Sequence, residues 1–159
     1  MTKTYIYFDI KYALQTQEMV IKNSGGLSGV KNQGCLESVL ENIQNDLYYP
    51  ELTDKITHLV HSIIKFHAFN DGNKRSSIAL GAFFLEVNGL DFCVRKFQNE
   101  MENIVVWVAE NKIDKELLSK LIDSIIFEDD FSESLKLELL EAITPDGFVF
   151  DELEDEGEI

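Results

Sequence analysis

The chain has 159 residues, 45% of them hydrophobic, which is enough for one domain with a real core and no need of disulfides or a structural metal. Its net charge of −15 is uneven, because residues 128–159 hold 13 acids against one base, Lys136, and residues 1–127 hold 16 acids against 13 bases. A main body so close to balance excludes the phosphate-neutralising surface of a general nucleic-acid binder, and no apolar run is long enough to span a bilayer.

Nothing at the N-terminus combines a basic start, an apolar middle and a small-residue cleavage site, so no signal peptide is expected. Cys35 and Cys93 lie far apart without metal-ligand spacing and read as buried thiols in a reducing compartment. The expected location is the cytoplasm.

The predicted elements are mostly helices, with the two prolines, Pro50 and Pro145, falling between periodic segments. Tyr5–Phe8 is a short apolar lead-in or strand. Asp9 is placed to cap a helix running to about Asn23. Ser24-Gly25-Gly26-Leu27-Ser28-Gly29 breaks the chain into a loop. Leu36, Val39, Leu40 and Ile43 have helical spacing, and that helix stops before Pro50. Thr53 or Asp54 can cap the next helix, whose stripe is Ile56, Leu59, Val60, Ile63 and Ile64. His67 follows in register with that stripe. A second apolar helix runs from about Lys74 to Val87 and stops at Asn88-Gly89. Amphipathic helices are expected near 99–110 and 114–127, the second capped by Asp114, and a last one at 132–143. No internal repeat is evident.

Between the two apolar helices lies a segment crowded with chemistry: His67-Ala-Phe-Asn-Asp-Gly-Asn-Lys-Arg75. Taken singly, each group has an ordinary reading. A histidine at a helix end is usually structural, Asp-Gly is a turn, and Lys-Arg is a solvated pair. Their order and density are not needed for packing, and each has a use around a polyphosphate. His67 carries an imidazole that can take a proton from a hydroxyl. Asp71 can hold a magnesium ion that also binds phosphate oxygens. Gly72 and Asn73 tolerate the backbone angles that aim N–H groups at an anion. The next helix begins there, so its dipole and the charges of Lys74 and Arg75 favour phosphate. Phe69 anchors the loop to the core.

These nine residues resemble the Fic/Doc (Fido) signature, His-x-Phe-x-Asp/Glu-Gly/Ala-Asn-x-Arg. The resemblance covers about 1–127 as a Fic/Doc domain and leaves 128–159 outside it as an acidic extension. It implies an all-α helical bundle with a helix–loop–helix active site and a short β-hairpin as candidate flap. It further implies ATP or another nucleotide, Mg2+, and modification of a Ser, Thr or Tyr hydroxyl on a target protein. Residue by residue it implies His67 as general base, Asp71 as metal ligand, and Gly72, Asn73, Lys74 and Arg75 as the phosphate-holding set.

Two positions bear on which group is transferred. AMP-transferring members have Gly where this chain has Lys74, and a second Arg where it has Ile78. The Doc branch, toxins of addiction modules, has Lys and lacks that Arg; Gly72, where Doc carries Ala, is Fic-like. A lysine stem and charge in place of Gly can turn the nucleotide so that its terminal phosphate faces the nucleophile. The expected activity is therefore Doc-like phosphate transfer, with a cognate antitoxin as partner. AMP transfer (AMPylation) is the alternative, and a non-catalytic binding protein of the same fold the second.

The Gly25–Gly34 stretch is the candidate flap for holding an extended target segment; a plain interhelical loop is the other reading. Ser134–Leu139 matches an inhibitory Ser/Thr-x-x-x-Glu-Gly/Asn motif only up to Glu138, and its usual arginine partner is Ile78 here. The extension is thus open to three readings: a solvated acidic tail, a helix docked as extra core, or an anionic plug over the basic site. Its end, Asp151–Glu158, is expected to be mobile. Asp54, His58 and His61 have the spacing of metal ligands on one helix face, although an exposed polar face is the ordinary reading. Trp107 is expected in the core.

Overall fold

A computed structural model describes residues 4–145. Seven helices, and no strand, are found among the described residues. They are α1 (Ile10–Ser24), α2 (Gln33–Asn42), α3 (Leu52–Lys65), α4 (Asn73–Val87), α5 (Val94–Ala109), α6 (Lys115–Phe127) and α7 (Glu133–Ile143). None is long and apolar enough to cross a membrane.

Local chemistry explains most of the boundaries. Asp9 caps α1, accepting from the Tyr12 amide at 2.9 Å, and Asp114 caps α6, accepting from the Leu117 amide at 2.8 Å. Helix α3 begins earlier than expected: Glu51 is its cap, and Asp54 sits in the first turn, accepting from the Glu51 amide at 3.0 Å. Helix α5 also begins earlier, because a 3-10 turn over Asp91–Cys93 runs straight into it.

Helix α3 is the centre of the bundle and packs against α2, α4, α5 and α6. Ile56, Leu59, Val60 and Ile63 are fully enclosed, as the stripe requires. Helix α4 lies between α1, α3 and α5, with Leu80, Phe84 and Leu85 fully buried. Trp107 packs against this core from a half-buried position. Cys93 is buried, whereas Cys35 is only half-buried near the start of α2.

Helix α7 docks on α6. Leu135 enters the core, and Lys120 pairs with Glu138 at 3.1 Å. Of the three readings of the extension, this helix follows the docked one. The Asp151–Glu158 run lies outside the described residues.

Candidate active site

The site is built from the junction of α3 and α4. Helix α3 ends in a six-residue Schellman turn: the Ala68 amide donates to Ile63 O at 3.2 Å and the His67 amide to Ile64 O at 3.4 Å. The residue at its pivot must be left-handed. That residue is His67, at φ 47°. The same turn closes α4 with Gly89 at the pivot (Leu90 amide to Leu85 O, 2.9 Å) and α5 with Asn111 (Lys112 amide to Trp107 O, 2.9 Å). Glycine and asparagine are the usual occupants; a histidine is not.

The turn changes where His67 points. Helical register put it on the buried face of α3, but α3 stops at Lys65 and the left-handed pivot swings the residue out of register. His67 is exposed, on the wall of a cleft of about 690 Å³.

Phe69 is fully buried, and Asn73 reaches back to it in both directions. The Phe69 amide donates to Asn73 Oδ1 at 2.9 Å, and Asn73 Nδ2 donates to Phe69 O at 3.0 Å. The Asn73 side chain, expected among the phosphate-holding groups, closes the loop with its Oδ1 and one of its two Nδ2 protons and also lines the cleft. Its main chain opens α4.

The start of α4 is uncapped. Gly72 takes the cap position in a left-handed conformation, φ 69°, and has no side chain to satisfy the first amides. Ser76 is the first residue to bond back within the turn, to Gly72 O at 2.8 Å. The amides of Asn73, Lys74 and Arg75 precede it, and the Lys74 and Arg75 side chains are exposed beside them. Uncapped amides, a helix dipole and two cations together fit a polyphosphate.

Asp71 sits at the rim. Its Oδ1 accepts from the Gly72 amide at 2.8 Å and its Oδ2 from the Leu27 amide at 3.1 Å. These two hydrogen bonds hold its carboxyl below the usual carboxylate range, with smaller contributions from Arg75 and Lys74. Each oxygen keeps a lone pair free, so the donor set fits one carboxylate ligand of a magnesium ion.

The expected hairpin in Gly25–Gly34 does not form. The loop spends its backbone on the signature segment instead. Val30 and Phe69 make an isolated antiparallel bridge. The Lys31 and Asn32 amides both donate to Ala68 O, at 2.9 and 3.2 Å, and the Asn70 amide donates to Gly29 O at 3.0 Å. Arg75 Nη2 donates to Gly25 O at 3.3 Å.

Sequence reading found one wall of the cleft and missed the other. The second wall is α5, through Glu102, Val105, Val106 and Ala109, followed by Asn111. Lys65, in the last turn of α3, joins the two walls by donating to Val108 O at 3.2 Å and to Asn111 Oδ1. Ile78 lines the same cleft. The α5 residues carry no motif, and only their place beside α4 reveals them. Helix α7 contributes nothing to the lining, and Glu138 is engaged with Lys120.

The α3 metal set is not assembled. No group of three potential His, Cys, Asp or Glu ligands is found among the described residues. Asp54 is used in the first turn, and His58 is buried against Tyr49, ring centroids 4.4 Å apart. Lys115 Nζ lies 2.9 Å from His58 Nδ1.

A model of the Fic/DOC family matches residues 7–85, which span α1 to α4 and the whole signature segment. A protein named Toxin Doc from Mycolicibacterium smegmatis is 34% identical over 88 residues, covering 50% of this chain and 68% of that protein. Protein kinase doc of Escherichia phage P1 is 33% identical over 98 residues, covering 58% of this chain and 74% of that protein.

Proposed function

The chain belongs to the Fic/DOC family, and we propose that within it the protein is a Doc-like phosphotransferase, moving phosphate from ATP to a hydroxyl of a target protein. It acts, on this reading, as the toxin of a toxin–antitoxin pair in the cytoplasm. The observation that carries the reading is the pair Lys74 and Ile78, which line one cleft with His67. At Lys74 a long cation stands where AMP-transferring members have room. At Ile78 an apolar side chain stands where they have a second phosphate-binding arginine.

The roles are those the family resemblance implies, and the geometry supports them. The target hydroxyl attacks the terminal phosphorus, its proton passes to the His67 imidazole, and ADP leaves with the bridging oxygen. His67 is exposed in the cleft and placed there by the α3 turn, so a hydroxyl can reach it. Asp71, its carboxylate aimed by the Gly72 and Leu27 amides, would hold a magnesium ion, which when bound would supply charge neutralisation to the phosphate oxygens. The first amides of α4 and the Lys74 and Arg75 side chains bind the phosphates. Asn73 acts through Phe69, keeping the loop closed so that those amides converge. The Gly25–Gly34 loop is the surface for the target segment.

AMP transfer is the second reading, favoured by Gly72, which is Fic-like. Intact-protein mass spectrometry of the modified target after incubation with ATP separates the two. A phosphate-sized increment is expected, and an adenylate-sized increment overturns the kinase reading.

A further inference from the structure

The one polar residue on the buried face of α1 is Gln17, between Ala13 and Ile21. It is 1% exposed. A core position there calls for an apolar residue, because a buried amide is costly unless its hydrogen bonds are made. Here they are made, and all three go to the two loops that form the site. Gln17 Nε2 donates to Asp71 O at 3.2 Å and to Leu27 O at 3.3 Å. Gln17 Oε1 accepts from the Gly29 amide at 3.3 Å. Two carbonyl acceptors and one amide donor fix which end of the side chain is which.

The neighbouring contacts share this direction. The Leu27 amide turns back onto Asp71 Oδ2. Asn70 Nδ2 donates to Ser28 O at 3.2 Å. At Gly26 an added Cβ would lie 2.5 Å from Asp71 Oδ2, so the loop lies directly against the carboxylate.

We propose that Gln17 is a positioning residue: it fastens the Gly25–Gly34 loop to the Asp71 peptide, so that the loop and the carboxylate are held in one arrangement. The proposal rests on the reading of Asp71 as a metal ligand and of the loop as the target surface. It adds a consequence that neither role contains. Anything that displaces the loop changes the aim of Asp71, and occupation of Asp71 by a metal ion changes the stability of the loop, by the same factor in both directions. Gln17 touches neither metal nor substrate in this scheme and works through its three backbone partners.

Two variants test it. Gln17→Met keeps length and volume but makes none of the bonds. Gln17→Glu keeps the acceptor for Gly29 and sets a second oxygen against two carbonyls. Amide hydrogen exchange of the free protein is expected to accelerate about 10-fold or more at Leu27 in both variants and at Gly29 in Gln17→Met, with α3 and α5 protection unchanged. Binding of Mn2+ together with a non-hydrolysable ATP analogue, followed by Mn2+ paramagnetic resonance, is expected to weaken about 10-fold, as when a metal ligand loses its supporting bond. Unchanged exchange at Leu27 and Gly29, or unchanged Mn2+ affinity in both variants, overturns the positioning role. A wild-type protein that binds no Mn2+ with the analogue overturns the nucleotide reading instead, a separate failure.

Discussion

Helix α3 carries His58 in its body and delivers His67 just past its end, and the two surroundings are opposite. His58 is buried, stacked on Tyr49, and approached by the Lys115 ammonium at its Nδ1. Burial first, then the charges of Lys115 and His61, push its pKa down to about 4. It is a neutral ring used for packing. His67 is exposed, lies in the cleft and is held by backbone bonds alone. One ring is sealed in the core, where its Nε2 has no hydrogen-bond partner among the described residues, and the other opens onto a cleft beside the uncapped amides of α4. The imidazole is the same in both places. What separates the two is whether the ring is enclosed by the core or open to the cleft.

The sharpest way to break this comparison is to remove each ring in turn. His67→Ala is expected to lower group transfer by about 10²–10⁴-fold, the range of a lost general base. His58→Phe keeps the stack on Tyr49 and is expected to leave the rate within a few-fold. Single-turnover assays of both variants check this, and comparable losses would erase the distinction.

The next effect is on stability against pH. In the unfolded chain His58 titrates near its ordinary value, and in the folded chain only near about 4. Between those values the unfolded state binds a proton that the folded state refuses, so stability falls as pH drops through the window and is full above it. The loss from about pH 7 to about pH 4.5 is expected to be on the order of 2 kcal/mol. Urea unfolding at both pH values measures it, and His58→Phe should flatten the difference.

A smaller effect sharpens the account of His67. Its left-handed backbone costs stability, which a glycine would recover. His67→Gly is expected to stabilise the fold by about 0.5–1 kcal/mol while abolishing transfer. A raised thermal midpoint with no activity is the expected pair of results. The smallest effect belongs to Asn111, which tolerates the same conformation. Asn111→Gly should move stability by about 0.5 kcal/mol or less, the freed backbone offsetting the lost bond to Lys65.

These particulars also show how far the sequence could be read. The apolar stripe from Ile56 to Ile64 and the cap at Asp9 depend on local spacing, and both are where periodicity places them. The crowding from His67 to Arg75 marked the site for the same reason, since all its members are neighbours in the chain. The orientation of His67 was not legible, because it depends on α3 ending two residues before it. Nor was the use of Asn73, whose partner is a backbone rather than another side chain. Gln17 and the α5 wall lie outside the motif, and only packing brings them to it. The family resemblance suggested a hairpin flap in the glycine-rich loop, with a plain interhelical loop as the other reading. Its backbone groups instead found partners in Ala68 and Asn70, which no spacing rule anticipates.

The most direct test of the central claim uses two preparations of ATP, one labelled in the terminal phosphate and one in the phosphate next to the sugar. Each is incubated with a cell extract and with either the wild-type protein or His67→Ala. Transfer of the terminal label alone to a protein band, lost in His67→Ala, is the predicted result. Transfer of the inner label, or transfer that survives His67→Ala, would contradict the account.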